Sequence, residues 1–296
     1  MRPGGRGVAD RELQELLEFA VELTSTAEPH ILSHYRTPTV TRKPDGTEVT
    51  DADKKGEEVM RELIGRRYPG HAILGEESGA GGPADAEWRW VLDPIDGTAS
   101  FSLGVPLFGT LVGLLRHGTP VVGVVHLPAL GETLYAGRGL GCWLRLPEAS
   151  PVRVQVQPVA ALRDAVVMGP SGLSSVPPEE REGHFRRLLP LLRRAGKFRF
   201  GGDCLQHVVV CRGLAHAAID PLMHPWDIAA LVPCVEEAGG VVSTVEGRRE
   251  NIVFGGSFVS CCSEGLLSEV LEVLGYQLSV LGEGPGGSRQ PTTDNR

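Results

Sequence analysis

The sequence predicts a mixed α/β fold built in layers. Three observations carry this. Apolar residues recur at helical spacing over two N-terminal stretches, the period then shortens to that of strands broken by glycine turns, and beyond about residue 179 helices and strands alternate.

The first helix is expected over 10–35, where Leu13, Leu16, Leu17, Ala20, Val21, Ala27, Ile31, Leu32 and Tyr35 fall on one face. A second is expected over 52–67, stopping before Pro69 and Gly70. Between them Arg42-Lys43-Pro44-Asp45-Gly46-Thr47 reads as a turn. Two short apolar runs, Ala72-Ile73-Leu74 and Trp90-Val91-Leu92, lead into acids, and Asp93 reads as the end of its strand. Strands at 107–115, 119–127, 132–136 and 141–145 form an antiparallel meander. There follow a helix over 179–194, a strand over 197–200, a helix over 203–215, a strand over 217–220, a helix over 226–238, strands near 240–245 and 252–262, and a helix over 264–274. Pro233 removes a backbone bond from the 226–238 helix, which should kink there or begin irregularly. Prolines at 151, 158, 170, 177 and 178 mark a join between an N-terminal α+β half (10–155), expected to carry most of the candidate ligands, and a C-terminal α/β half (156–276). Residues 1–9 are expected to be a flexible terminus and 282–296, rich in Gly, Pro, Ser and Thr, a disordered tail.

The 296 residues are 41% hydrophobic and 22% charged, enough for a sizeable core. The net charge of −8 repels phosphate backbones and argues against general nucleic-acid binding. No uninterrupted apolar run of ~20 residues exists to span a membrane. The N-terminal residues lack an apolar signal region, and the six cysteines, Cys142, Cys204, Cys211, Cys234, Cys261 and Cys262, form no C-x-x-C pair. The expectation is a cytoplasmic protein with reduced, mostly buried thiols. Gly137-Arg138-Gly139-Leu140-Gly141 lacks G-x-G-x-x-G spacing and reads as a hairpin turn. Arg186-Arg187 and Arg193-Arg194 read as a solvated helix face.

The informative feature is where acids fall. In Asp93-Pro94-Ile95-Asp96-Gly97-Thr98, Pro94 fixes a turn and Asp96 returns toward Asp93. Gly97 permits close backbone approach and Thr98 stands where a helix can begin. Two carboxylates held so close repel, and a cation between them, or protonation of one, relieves the repulsion. Oxygen ligands without nearby His or Cys favour Mg²⁺, with Mn²⁺ as substitute, over zinc. Glu76 follows another apolar run, Asp53 and Asp227 stand at helix starts, and each is also a common cap or turn residue. The recurrence of four such sites beside a Gly-Thr turn points to a multi-metal site for a phosphate-sized anion.

These blocks resemble the inositol monophosphatase family of Mg²⁺-dependent, lithium-sensitive phosphatases. The resemblance rests on Val49-Thr50-Asp51-Ala52-Asp53, Gly75-Glu76-Glu77-Ser78, the run Trp90 to Phe101, Trp226-Asp227-Ile228-Ala229-Ala230 and Glu237-Ala238-Gly239-Gly240, in family order over about 10–275. It implies a layered αβαβα sandwich, commonly a homodimer. It implies that Glu76, Asp93, Asp96 and Asp227, with the Ile95 carbonyl, hold two or three metal ions, and that Thr98 with Glu76 activates the attacking water. Asp96 enters the same catalytic set. Gly97 and Thr98 N–H groups would cradle the phosphate, Asp53 would be a third-metal or outer-shell carboxylate, and Lys43 the basic residue beside it.

Family members act on inositol monophosphates, fructose bisphosphate, phosphoadenosine phosphates or histidinol phosphate. The stretches 104–111, 201–204 and 225–233 look most like the histidinol-phosphate branch, which implies a small-molecule phosphate ester of histidine biosynthesis as substrate. Asp203 is suited to the ammonium of histidinol phosphate, whereas an inositol needs hydroxyl partners; Asp203 is also a natural helix cap. Asp220 lies where the family places a substrate-contacting carboxylate. His126-Leu127 departs from the acid–amide pair common in that branch and is expected to change polarity at the pocket edge. The alternatives are an inositol-1-monophosphatase or broad sugar phosphatase, or a non-catalytic metal- and phosphate-binding regulator.

Overall fold

Along the described residues, 4–43, 48–170 and 179–275 of the computed structural model, most elements fall where the periodicity puts them. Helix α1 (Gly4–Leu32) precedes a hairpin of β1 (Val40–Arg42) and β2 (Glu48–Thr50), and then α2 (Asp51–Arg67). Strands β3 (Ala72–Gly75), β4 (Gly79–Gly81) and β5 (Trp88–Asp96) lead into the short α3 (Thr98–Ser102). The expected meander follows as β6 (Gly109–Arg116), β7 (Thr119–Leu127), β8 (Glu132–Gly137) and β9 (Gly141–Arg145), with β10 (Val152–Arg153) at its edge. The rest of the chain forms β11 (Val166–Gly169), α4 (Arg181–Arg194), β12 (Lys197–Phe200), α5 (Asp203–Cys211), β13 (Ala217–Asp220), α6 (Pro225–Ile228), α7 (Leu231–Glu237), β14 (Val241–Ser243), β15 (Phe258–Cys261) and α8 (Glu264–Val273).

Two sheets organise these elements. The first has the order β10-β9-β8-β7-β6-β5-β3-β4, and the second β12-β11-β13-β15-β14. Strand alternation divides the first sheet's faces. Trp90, Leu92, Val112, Leu114, Val122 and Val124 pack on α1 and α2, while Val91, Leu111, Leu115 and Val125 pack on α5, α6 and α7. The second sheet meets that helical layer through Phe258 and Val242 and buries Val167, Ile219 and Val259 against α4 and α8. The layers therefore run α, β, α, β, α. All six cysteines are buried and free of disulfides. No helix among the described residues is long and apolar enough to cross a membrane.

Several expectations are corrected. Helix α1 begins at Gly4, six residues before the expected start, because growth from a packed helix adds one hydrogen bond per residue fixed. Strand β5 does not stop at Asp93; it continues through a register shift to Asp96. The strand expected over 252–262 is a 3₁₀ turn, Ile252–Phe254, followed by β15. The tail 282–296, residues 1–3 and the turn residues 44–47 lie outside the described residues. The helix expected over 226–238 breaks between Ile228 and Leu231. Pro233 thereby falls in the first turn of α7, where its missing N–H has no intrahelical role.

The break sits on a pair of facing glycines. Gly113 of β6 and Gly123 of β7 are cross-strand partners. A Cβ on Gly123 would lie 1.9 Å from the Ala230 carbonyl oxygen, and one on Gly113 2.7 Å from the Ala229 Cβ. The α6–α7 junction thus rests directly on the sheet backbone. Gly123→Ala is expected to destabilise the protein by about 3 kcal/mol through overpacking and to lift α6 from the sheet, measurable by thermal unfolding.

Candidate active site

The site forms where β3 and β5 end beneath α6. These two strands pair in parallel, with Gly75 opposite Leu92. Glu76 therefore emerges beside Asp93, and its N–H donates to the Leu92 carbonyl. Asp93 shares the face of Val91, toward the middle helical layer. The register shift after Asp93 re-aims Asp96 to the same place. Asp227 arrives from α6.

Carboxylate oxygens of Asp93, Asp96 and Asp227 lie within 4.8 Å of one another. Asp93 and Asp96 are buried and Asp227 is half-buried. Each commits one oxygen to a backbone N–H. Asp93 Oδ1 accepts from Ile95 at 2.9 Å, Asp227 Oδ2 from His224 at 2.7 Å, and Asp96 Oδ2 from Cys204. These donors fix the carboxylates' orientation and leave the remaining oxygens for a ligand.

Removal from water and mutual repulsion disfavour the charged forms. Burial, then the neighbouring charges of Glu76, Asp96 and Asp227, raises Asp93 well above the usual carboxylate range. Burial, then Asp227, pushes Asp96 up to about 7. Burial, with Glu76 adding to it and the His224 N–H opposing, pushes Asp227 to about 7. A convergent set of hard oxygen donors, short of positive charge and held by backbone donors, fits a divalent cation of the Mg²⁺ type.

Lys43 bridges Glu76 Oε1 at 3.0 Å and Glu77 Oε1 at 2.8 Å. Burial opposes its charge, but Glu77 and Glu76 more than compensate and hold it above the usual lysine range. Asp53 is buried at the start of α2. Its Oδ2 accepts the Thr50 N–H at 2.7 Å and the Thr50 hydroxyl. Its Oδ1 accepts the Thr98 hydroxyl at 3.3 Å, and that hydroxyl also lies 3.1 Å from the Ile95 carbonyl. Burial raises Asp53 to about 6 against the lowering by Thr50. Among the described residues the hydroxyl of Thr98 has Asp53, and not Glu76, as its hydrogen-bonded carboxylate.

The two other expected substrate acids stand on the same side. Asp203 does not cap α5: Gly202 is the cap residue, and the Asp203 side chain turns to Ser100 Oγ, which donates at 3.3 Å. Its φ of +51° lies in the left-handed region that Asp tolerates better than most residues. Gly97, at φ +88°, could not carry a Cβ without meeting Asp203 Oδ2 at 2.8 Å. Burial, then the charge on Asp96, pushes Asp203 to about 7. Asp220 accepts from Gln206 Nε2 at 3.2 Å and is raised by burial and by Asp203. The structure thus brings Lys43, Asp53, Glu76, Asp93, Ile95, Asp96, Gly97, Thr98, Asp203, Asp220 and Asp227 into one connected region.

His126 is not at the pocket edge. Its ring pairs with Thr133 Oγ1 at 3.0 Å and lies 3.5 Å from Glu28 of α1, on the far face of the first sheet. Leu127 is buried in the core. Period-2 alternation turns these side chains to opposite faces. Sequence reasoning missed Glu57, fully buried beside the Glu76 turn. The available signal was its place four residues after Asp53, in the inward stripe of α2 with Ala52, Gly56 and Met60.

The chain is 37% identical over 246 residues to a histidinol-phosphatase of Chlorobaculum parvum, covering 82% of this chain and 91% of that protein. It is 40% identical over 205 residues to a histidinol-phosphatase of Mycobacterium tuberculosis, covering 69% and 77%. The structure of an inositol monophosphatase from Anabaena superposes with a TM-score of 0.75 at 27% identity, covering 89% of this chain and 96% of that one. Residues 12–273 match the profile of the inositol monophosphatase family, and with relatives this similar over most of their length the chain belongs to that family.

Proposed function

We propose that this phosphoric monoester hydrolase acts on histidinol phosphate, releasing histidinol and phosphate. The observation that carries the hydrolytic reading is the convergence of Asp93, Asp96 and Asp227 within 4.8 Å. With Glu76 and the Ile95 carbonyl they would hold Mg²⁺. When bound, the ion supplies Lewis acidity toward the phosphoryl oxygens and lowers the pKa of water. The protein's residues supply the rest. Thr98, donating to Asp53, accepts a hydrogen bond from the attacking water. Glu76, with Oε1 on Lys43, keeps Oε2 for that water's proton. The first-turn N–H groups of Gly97 and Thr98 bind phosphate oxygens. Two or three Mg²⁺ ions, Mn²⁺ as substitute, lithium sensitivity, a homodimer and a cytoplasmic location belong to the same reading.

Asp203 and Asp220 support the choice of ester. Two partly open carboxylates beside the acid cluster suit an alcohol carrying an ammonium and an imidazole. The histidinol-phosphatase relatives favour the same substrate. Phosphate release from histidinol phosphate and from inositol 1-phosphate, each with Mg²⁺ and with EDTA, tests this directly. The expected result is Mg²⁺-dependent preference for histidinol phosphate. Preference for inositol 1-phosphate would keep the chemistry and replace the substrate. Turnover of neither would favour a binding role. Asp203→Asn is expected to raise KM for histidinol phosphate about tenfold or more, the scale of one charge-assisted contact, and to leave KM for a neutral ester within about twofold. Equal effects on both would refute the role of Asp203.

A further inference from the structure

Helix α2 turns one stripe inward, and that stripe contains a glutamate. Glu57 is fully buried, on the stripe of α2 that also buries Gly56 and Met60. A buried carboxylate in such surroundings requires donors, and the structure supplies three. Glu57 Oε2 accepts the Glu77 N–H at 2.7 Å. Oε1 accepts the Ser78 N–H at 2.9 Å and Arg61 Nε at 2.7 Å. Arg61 in turn donates to the Gly79 carbonyl. The turn that follows Glu76 is therefore held by α2 at three consecutive residues. Gly75, just before Glu76, leaves room for this: a Cβ there would stand 2.4–2.6 Å from the carboxyl atoms of Glu57.

We propose that Glu57, locked by Arg61, is a positioning residue that sets Glu76 at the edge of the acid cluster. It touches neither substrate nor the reacting atoms and acts through the backbone of residues 77 and 78. This inference rests on the reading of Glu76 as part of the metal site. It gives α2 a double office, since Asp53, one turn earlier, orients Thr98 by the same inward stripe.

Glu57→Gln keeps the side-chain volume but turns an amide NH₂ toward one of the two backbone donors. Partners that orient metal ligands are worth about 10- to 100-fold in affinity or activity. The expected result is Mn²⁺ affinity, read by electron paramagnetic resonance, weakened about tenfold or more. The Mg²⁺ concentration for half-maximal rate should rise in parallel, with KM for the ester within about threefold and circular dichroism unchanged. A merely structural glutamate would lower Tm and leave Mn²⁺ affinity as in the wild type, which overturns the proposal. Should Glu57→Gln fold poorly, Gly75→Ala provides a second approach. It should weaken Mn²⁺ binding strongly alone and much less when added to Glu57→Ala, where the clashing carboxylate is gone. Additive losses would overturn the proposal. Glu76→Gln separates the two readings. If it binds Mn²⁺ and turns over like wild type, the active-site reading fails and this inference with it. If it loses both while Glu57→Gln matches wild type, only the role of Glu57 fails.

Discussion

Asp93→Asn is expected to lower kcat by about a thousandfold while the protein stays folded. Asp93 Oδ1 accepts the Ile95 N–H, and an asparagine oxygen can accept it equally well. The local backbone is therefore preserved. The change falls on the other oxygen, which becomes an uncharged NH₂ facing Asp96 and Asp227. Losing one preorganised charge from a dry site is worth about 4 kcal/mol in the transition state, or about three orders of magnitude in rate. The same variant should be more heat-stable than wild type in EDTA, because one of three crowded acids is gone. Activity assays at saturating Mg²⁺ and unfolding scans in EDTA check both halves. Near-normal turnover would remove Asp93 from the ligand set.

Metal removal should have the second largest effect, and its pH dependence follows from the acids. Asp96, Asp227 and Asp203 are held near 7, against about 4 in an unfolded chain. Below about pH 4 both states are protonated and the groups contribute nothing. Between about 4 and 7 the metal-free folded state binds more protons than the unfolded state, so stability falls as pH rises. Above about 7 the full penalty of ionised, unpaired acids applies. Each such group adds about 1.4 kcal/mol per pH unit to the slope. Mg²⁺ at a hundred times its Kd restores about 2.7 kcal/mol, or roughly 5–10 °C in Tm for a chain of this size. Protons compete with the ion, so the Mg²⁺-induced rise in Tm should be large at pH 8 and small at pH 5.5. An equal rise at both pH values, or stability in EDTA that increases with pH, would contradict this account.

Much of the site was legible because its acids interrupt apolar patterns. Asp93 and Glu76 follow runs that must be buried, and a carboxylate there needs a reason. The meander was legible because hairpin neighbours are also sequence neighbours. What the sequence hid is non-local. Nothing in residues 72–96 announces that β3 lies parallel to β5, yet that pairing puts Glu76 beside Asp93. Strand β11 has only four residues in a proline-punctuated stretch, and its partners lie 30 to 50 residues away. Pro233 signalled a disturbed helix, but the break was set by contact with the sheet and fell before it. His126 was misjudged because one residue of strand phase decides which face a side chain takes. Glu57 was hidden on a helix that also carries the solvated acids Asp51, Glu58 and Glu62.

The facing glycines beneath the α6–α7 junction bear on any attempt to transplant this centre. Copying the carboxylates onto another layered sandwich would reproduce the chemistry of the ligands but not their spacing. Two ordinary side chains at the positions of Gly113 and Gly123 would hold the helical layer off the sheet by on the order of 1 Å or more, and grafted sites commonly fail by such a margin. The absent side chains are as much a part of the blueprint as the acids, and a designer would have to carry them across together.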